Sequence, residues 1–511
     1  MDSRTGIVAK NSTYSLICHL LTLLLQFAVR TLFIKCLTVE YVGVQGLFSN
    51  ILTVLSFAEL GIGNAVSFSL YKPLAENNQY KVAQLMQFYK TVYRIIAAVV
   101  FFIGLCITPF LDSLALERPN ISENLGLIYT IFVINSAVSY LFVYKQTLIL
   151  ADQKKYIVSI YSIIVTAIIC TLQCLSLLLF KSFYTYLVIM VLGTVTTNVV
   201  ISKKCDKLYP SILNNNIKPL EKKEKKSIFD NVKSLCLYKF GNVILNGSGN
   251  ILVSKLFGVA ILGVCSNFYY VINIGMGLFN QVLFSFVATI GNLNAVENED
   301  RKTSVFFKIS MFCFWLYGFI CVGLYLYLND FIYLWIGEDY MLDRFIVFSI
   351  VLVFYVDNVC FSLSSYRVTM GLFRKARYSP MIASVVNIVL AVLLSKFIGV
   401  AGIFLAVSIS RFLCVNLVDV YLVFKYGLRR EGYKYLYLYF MFTLFFVIVA
   451  FLIGLLTSYL PHFDNAYLEL IKNVIIYTIT FNVLFIISFH KLPTFIELSK
   501  NLKLLIFLKN K

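Results

Sequence analysis

Eight polar residues carry most of the chemistry this chain offers, and they fall into two sets of four. His19, Thr22, Gln26 and Arg30 recur at steps of three and four residues, as do Lys239, Asn242, Asn246 and Asn250. That spacing puts each set on one helix face. The Arg30 guanidinium suits phosphate, because its planar fork grips two oxygens and stays charged at any working pH. Asn242, Asn246, Asn250 and Gln26 suit sugar hydroxyls, and equally suit hydrogen bonds that hold one helix to another. His19 fits an interhelical hydrogen bond better than a proton relay.

The two sets are related by an internal repeat. A shift of 220 residues lays Val42-Gly43-Val44 on Leu262-Gly263-Val264 (263 − 43 = 220), Lys35 on Lys255 and Phe48 on Phe268. The same shift carries the first polar set onto the second. Two related helices, each with a wet stripe, are the pattern of a transporter built from two similar bundles facing a cavity. Further stripes run through Gln45, Ser49, Thr53 and Ser56, through Ser266, Tyr270, Asn273 and Asn280, and through Asn358, Ser362, Ser365 and Thr369.

Charges at bilayer depth cost about 2.5–3.5 kcal/mol each at mid-helix, so seven residues need a reason to be there. They are Arg30, Glu59, Lys239, Asp357, Arg367, Arg411 and Asp419. Snorkelling accounts for Arg30, Lys239, Arg367 and Asp419 singly, because each lies near a span end. It does not account for Ser15, His19, Thr22 and Gln26 continuing the Arg30 face inward. Arg30 and Arg411 are therefore the expected anion-attracting residues, with Lys239 and Arg367 as inner-gate candidates. Arg411 and Asp357 lie deeper, where they line a cavity or pair across helices. Glu59 and Asp357 are candidates for ion coupling or structural pairing.

The elements that position these residues are membrane helices. Hydrophobic residues make up 60% of the 511-residue chain, and its mean hydropathy is +0.83. A spanning helix needs roughly 20 mostly apolar residues, which gives an all-α polytopic membrane protein of about fourteen spans. They fall near 12–34, 42–68, 92–111, 124–150, 156–179, 183–201, 234–257, 260–290, 304–328, 344–372, 378–395, 398–421, 434–458 and 465–489. The first segment is too long for a signal peptide and lacks a small-residue cleavage site, so it is expected to stay as a mature helix.

The net charge of +19 does not point to nucleic acid, because it collects on one side of this arrangement. With the N-terminus inside, the cluster from Lys203 to Lys233, Arg429, Arg430 and the tail lysines are all inner. The loop acids Asp112, Glu117, Glu123, Asp330, Glu338, Asp339, Asp343, Asp464 and Glu469 are outer. This positive-inside bias puts both termini in the cytoplasm. The polar stretch also divides the chain: 1–203 as an N-terminal lobe, 204–233 as a basic cytoplasmic linker that also touches anionic lipid, 234–424 as a second lobe, and 425–511 as two further spans and a tail. Glu76 to Arg94 reads as an amphipathic helix along the inner surface, with Val82, Leu85, Met86 and Tyr89 on its apolar face.

What is missing narrows the chemistry. The twelve cysteines sit mostly within apolar spans and make no CxxC pair, and three histidines are too few for a histidine metal centre. Neither a disulfide framework nor a metal site is expected. There is no GxxxxGK[ST] loop, GxSxG or HExxH motif, so neither a nucleotide-hydrolysing nor a hydrolytic enzyme is indicated. No cofactor is expected; a proton or sodium gradient, or substrate flux, would drive transport.

The stretch Phe57-Ala58-Glu59-Leu60-Gly61-Ile62-Gly63-Asn64-Ala65, continuing through Leu70 to Glu76, resembles the second-helix signature of Wzx-type bacterial polysaccharide flippases. These belong to the multidrug/oligosaccharidyl-lipid/polysaccharide (MOP) exporter superfamily. Ile290-Gly291-Asn292-Leu293, Leu334-Trp335-Ile336-Gly337, Gly371-Leu372-Phe373-Arg374 and Gly399-Val400-Ala401-Gly402-Ile403 are similar to shorter family segments. The resemblance implies two pseudo-symmetric six-helix lobes, two extra C-terminal helices and alternating access through a cationic cavity. Its implied substrate is an undecaprenyl-pyrophosphate-linked oligosaccharide repeat unit, moved from inner to outer leaflet of the bacterial cytoplasmic membrane. O-antigen, capsule and exopolysaccharide assembly are the implied pathways, with other assembly proteins as partners. Arg30-Thr31 matches a first-helix arginine expected to meet the pyrophosphate. Gly249 stands where many relatives carry a seventh-helix acid, which puts their ion coupling in doubt here. The alternatives are an ion-coupled drug exporter of the same fold and, from other classes, a polysaccharide polymerase or an assembly scaffold.

Overall fold

The computed structural model describes residues 4–55, 69–70, 73–74, 76–113, 121–152, 154–210, 219–372 and 375–497. Every regular element among them is helical: α1 (Arg4–Cys36), α2 (Val39–Leu55), α3 (Gln79–Ile107), α4 (Leu125–Tyr140), α5 (Val143–Ala151), α6 (Lys155–Phe180), α7 (Phe183–Leu208), α8 (Lys222–Phe257) and α9 (Val259–Val296) come first. They are followed by α10 (Glu299–Ile336), α11 (Arg344–Thr369), α12 (Ser379–Ile398), α13 (Val400–Leu428), α14 (Tyr433–Tyr459) and α15 (Ala466–Phe489). Eleven described helices are long and apolar enough to cross a membrane, and twelve spans result if α4 and α5, bent by 42°, count as one. The chain is a multi-pass membrane protein.

The two remaining expected spans are α2 and α8. Only 17 residues of α2 are described. In α8 the obstacle is polarity, since Lys222-Lys223-Glu224-Lys225-Lys226 is followed by Lys239 and three asparagines. The basic linker was expected to be a solvated loop, yet from Lys222 onward it is the first part of this 36-residue helix. Glu224 in the first turn favours that start, because a carboxylate there complements the helix dipole. The Glu224 carboxylate also binds Lys81 Nζ at 2.5 Å, fastening α8 to the start of α3.

The expectation for 76–94 also changes. From Gln79 onward these residues are the first turns of the long helix α3, with Asn78 as its cap. Val82, Leu85, Met86 and Tyr89 are buried against Leu148, Ile149, Ile157 and Cys205, so the apolar face meets protein and not lipid.

Two compact units divide the chain, Met1–Ser266 and Asn267–Lys511. The division falls inside α9 and not in the basic stretch, because α8 packs on α2. Gly247 of α8 makes that approach close: a Cβ there would sit 3.0 Å from Val54 Cγ2.

The 220-residue register reappears in the coordinates. α2 starts at Val39 and α9 at Val259; α3 is capped by Asn78 and α10 by Asn298. Both asparagines accept from the backbone N–H three residues on, Lys81 and Arg301, at 2.9 Å each. Such caps satisfy one of the orphan donors of a helix start. Where α2 crosses the first turns of α9, the contact is reciprocal. A Cβ on Gly43 would overlap the Val259 carbonyl oxygen, and one on Gly263 would overlap that of Val39.

Candidate functional site

Five of the seven charged residues singled out in the spans have a side-chain partner among the described residues, Arg30 in the first unit and two arginine–aspartate pairs in the second. In Met1–Ser266, Arg30 of α1 donates from Nη1 to Oε1 of Gln45 on α2 at 2.9 Å. The hydroxyl of Tyr186 on α7 lies near the same Gln45 side chain. Phe33 completes the setting: the guanidinium lies 6.0 Å from its ring centroid, and Tyr186 meets that ring edge-on at 5.0 Å. Three helices thus fix the direction of one guanidinium. Gln45, a neutral amide, is one of the partners that orient the cation.

The rest of the first stripe is uneven. His19 is half-buried, and its Nε2 is shielded with no hydrogen-bond partner among the described residues. Thr22 donates to the Cys18 carbonyl at 2.8 Å, and Gln26 is exposed. On α8, Asn242 donates to the Tyr238 carbonyl at 3.2 Å, Asn246 is exposed, and Asn250 and Lys239 are half-buried. α1 leans on α6 whereas α8 leans on α2, so different neighbours hold the two stripes.

Many other stripe residues bond their own helix. Thr53 donates to Ser49 O, Ser266 to Leu262 O, Thr369 to Ser365 O and Asn358 to Phe354 O, at 2.7–2.9 Å. A hydroxyl or amide satisfied in this way needs no water-filled space beside it. Glu59, Ser56 and most of the second-helix signature lie outside the described residues, as do the side chains of Ser15 and Asn280.

In Asn267–Lys511 the charges are paired. Arg367 of α11 binds both carboxylate oxygens of Asp419 on α13 at 2.8 and 2.7 Å, with each side chain only 5% exposed. Arg411 of α13 is paired with Asp357 of α11; the arginine is buried, whereas the aspartate side chain is 42% exposed. Both pairs therefore join the same two helices. Near them α13 departs from α-geometry in π turns at Phe412–Asn416 and Val423–Leu428. Asn416, in the first, donates to the Val356 carbonyl of α11 at 2.9 Å. Such π turns often accompany functional positions in helices.

Of the expected inner-gate residues, Arg367 is thus occupied by a carboxylate in this conformation. Arg411, expected with Arg30 to attract the anion, has its own internal counter-ion. Two participants were not anticipated. Tyr186 carried no signal among 34 tyrosines, and Asp419 had been assigned to snorkelling. Two arginines against two aspartates within α11 and α13 was the available clue. Among the described residues, no group of three or more histidine, cysteine or acidic side chains could hold a metal, and every described cysteine is a free thiol.

No protein-family model matches the chain, and no curated protein does. Solved structures do. An inward-closed lipid II flippase MurJ has a TM-score of 0.66 at 14% identity, covering 94% of this chain and 99% of its own. An inward-facing multidrug resistance MATE family transporter of the MOP superfamily has a TM-score of 0.64 at 11% identity, covering 81% and 98%. A Pyrococcus furiosus MOP superfamily transporter, in which reverse polarity of the binding pocket suggests a different function, has a TM-score of 0.54 at 11% identity, covering 83% and 97%. At these identities the likeness establishes the fold, which is that of MOP superfamily transporters.

Proposed function

We propose that this chain is a flippase for an anionic lipid-linked oligosaccharide, acting by alternating access in the bacterial cytoplasmic membrane with both termini inside. The observation that carries this reading is Arg30, a guanidinium inside the first span, held by Gln45 and set beside Phe33. An oriented guanidinium is suited to a diphosphate, whose paired oxygens match its fork. The resemblance to Wzx-type proteins narrows the substrate to an undecaprenyl-pyrophosphate-linked repeat unit bound for O-antigen, capsule or exopolysaccharide. Asn242, Asn246, Asn250 and Gln26 are the proposed sugar contacts. The likeness to a lipid II flippase over nearly the whole chain is compatible with lipid-linked cargo, as the likeness to a multidrug MATE transporter is with a small solute.

One observation favours the drug exporter as a second reading. Asp357, 42% exposed near the middle of α11, offers a carboxylate that a cationic compound would seek. Purified protein in liposomes separates the two. A flippase moves labelled polyprenyl-pyrophosphate-linked sugar and loses that activity with Arg30→Gln. Transport of a cationic dye that survives Arg30→Gln and is lost with Asp357→Asn would replace the first reading with the second.

A further inference from the structure

Three helices of the second unit enclose a cavity of about 530 Å³ that the transport reading does not use. It is lined by α10 (Cys321 to Leu326), α11 (Arg344 to Tyr355) and α14 (Thr443 to Leu455). Its size falls within the ~300–1,000 Å³ of ordinary ligand pockets. Its walls are almost entirely apolar, and Val447, Phe451 and Leu455 on its rim are exposed, so it opens toward lipid. Ala450 and Gly454, one turn apart on α14, leave the space that larger side chains would fill.

Length and polarity define the occupant. Arg344 to Tyr355 on α11 is eleven steps, and Thr443 to Leu455 on α14 is twelve, so the slot runs roughly 17 Å at ~1.5 Å per residue. Half of a ~30 Å hydrocarbon core is close to that length. The deep end is closed by the hydrogen bond between the hydroxyls of Tyr355 and Thr443 at 2.9 Å. The shallow end carries Arg344, exposed and with no carboxylate within 4 Å among the described residues. Exposed Asp343 precedes it, and exposed Asp330 lies close enough to feel its charge. A purely anionic headgroup would meet these two acids as well as the arginine.

We infer that the slot is a binding site for one acyl chain of a zwitterionic phospholipid from the leaflet at the acid-rich end of the spans. Its phosphate rests on Arg344 and its ammonium faces Asp330 and Asp343. The bound chain fills the gap between α14 and the α10–α11 pair, so this lipid acts as part of the packing of the second unit.

The test uses the full-length protein, delipidated in detergent and then offered an equimolar mixture of phosphatidylethanolamine, phosphatidylglycerol and polyprenyl phosphate. Native mass spectrometry reads which lipid stays bound. The wild type is expected to retain one phosphatidylethanolamine. Ala450→Trp should abolish retention, and Val447→Trp at the exposed rim should do the same without burying new volume in the protein. Leu444→Trp, on the lipid-facing surface outside the slot, should retain it. Arg344→Gln should keep a bound lipid but lose the headgroup preference. Retention by both slot variants, equal binding of phosphatidylglycerol by the wild type, or capture of polyprenyl phosphate instead would each overturn the assignment.

Discussion

The first unit holds an arginine with an amide; the second holds two arginines with carboxylates. Gln45 helps fix where Arg30 points and adds no charge of its own. Asp419 and Asp357 fix where Arg367 and Arg411 point and also neutralise them. Within a membrane this separates two jobs. A charge-cancelled pair holds α11 to α13 at a tolerable desolvation cost, whereas a neutral amide orients a guanidinium without itself neutralising it, as the anion-binding role proposed for Arg30 requires. The exposed side of Asp357 places the Arg411 pair between these extremes.

Breaking the buried pair should produce the largest effect. Asp419→Ala strands Arg367 and is expected to cost about 3–5 kcal/mol, the usual penalty for one buried partner left alone. Thermal unfolding in detergent would show it, and the double variant Arg367→Met with Asp419→Leu should recover most of the loss. If the single variant melts like wild type, the pair is not structural. Next, Arg30→Gln should leave the melting temperature unchanged and lower transport of the lipid-linked sugar about ten- to a hundredfold. That range corresponds to ~1.5–3 kcal/mol for a hydrogen bond to a charged group. An equal loss of stability would make Arg30 a packing residue like Arg367.

Asp357→Asn should destabilise less than Asp419→Ala, because the Asp357 side chain is 42% exposed and its pair is less enclosed than the Arg367–Asp419 pair. The same melting series decides it, and equal losses would erase the distinction between the two pairs. The smallest effect is expected from Tyr186→Phe, which removes the hydroxyl near Gln45, a contact of about 1 kcal/mol at most. Its signature is weaker sugar-lipid transport at unchanged stability, with Gln45→Leu going further in the same direction. A Tyr186→Phe variant as inactive as Arg30→Gln would mean that the tyrosine meets the cargo itself.

The sequence made the repeat legible because glycines and caps keep their spacing when packing demands it. Gly43 and Gly263 stand at crossings where a side chain would strike backbone, and Asn78 and Asn298 cap equivalent helices. The ion pairs were not legible as pairs. Their partners lie 52 and 54 residues apart, on helices whose contact is a tertiary fact. Val82, Leu85, Met86 and Tyr89 show the limit of periodicity: it marks an apolar face but not whether lipid or protein covers it. Polar stripes misled in another way, since Thr22, Thr53 and Ser266 spend their hydroxyls on their own helix.

The reciprocal crossing of α2 and α9 also says something about ancestry. Gly43 meets Val259 as Gly263 meets Val39, so one patch binds a copy of itself. Self-complementarity of this kind is what a two-fold homodimer requires. A half-length progenitor assembling through that patch would have needed only a fused duplicate gene to reach the present chain. Drift could then load one copy with arginine and the other with asparagine while the shared seam stayed closed to any side chain.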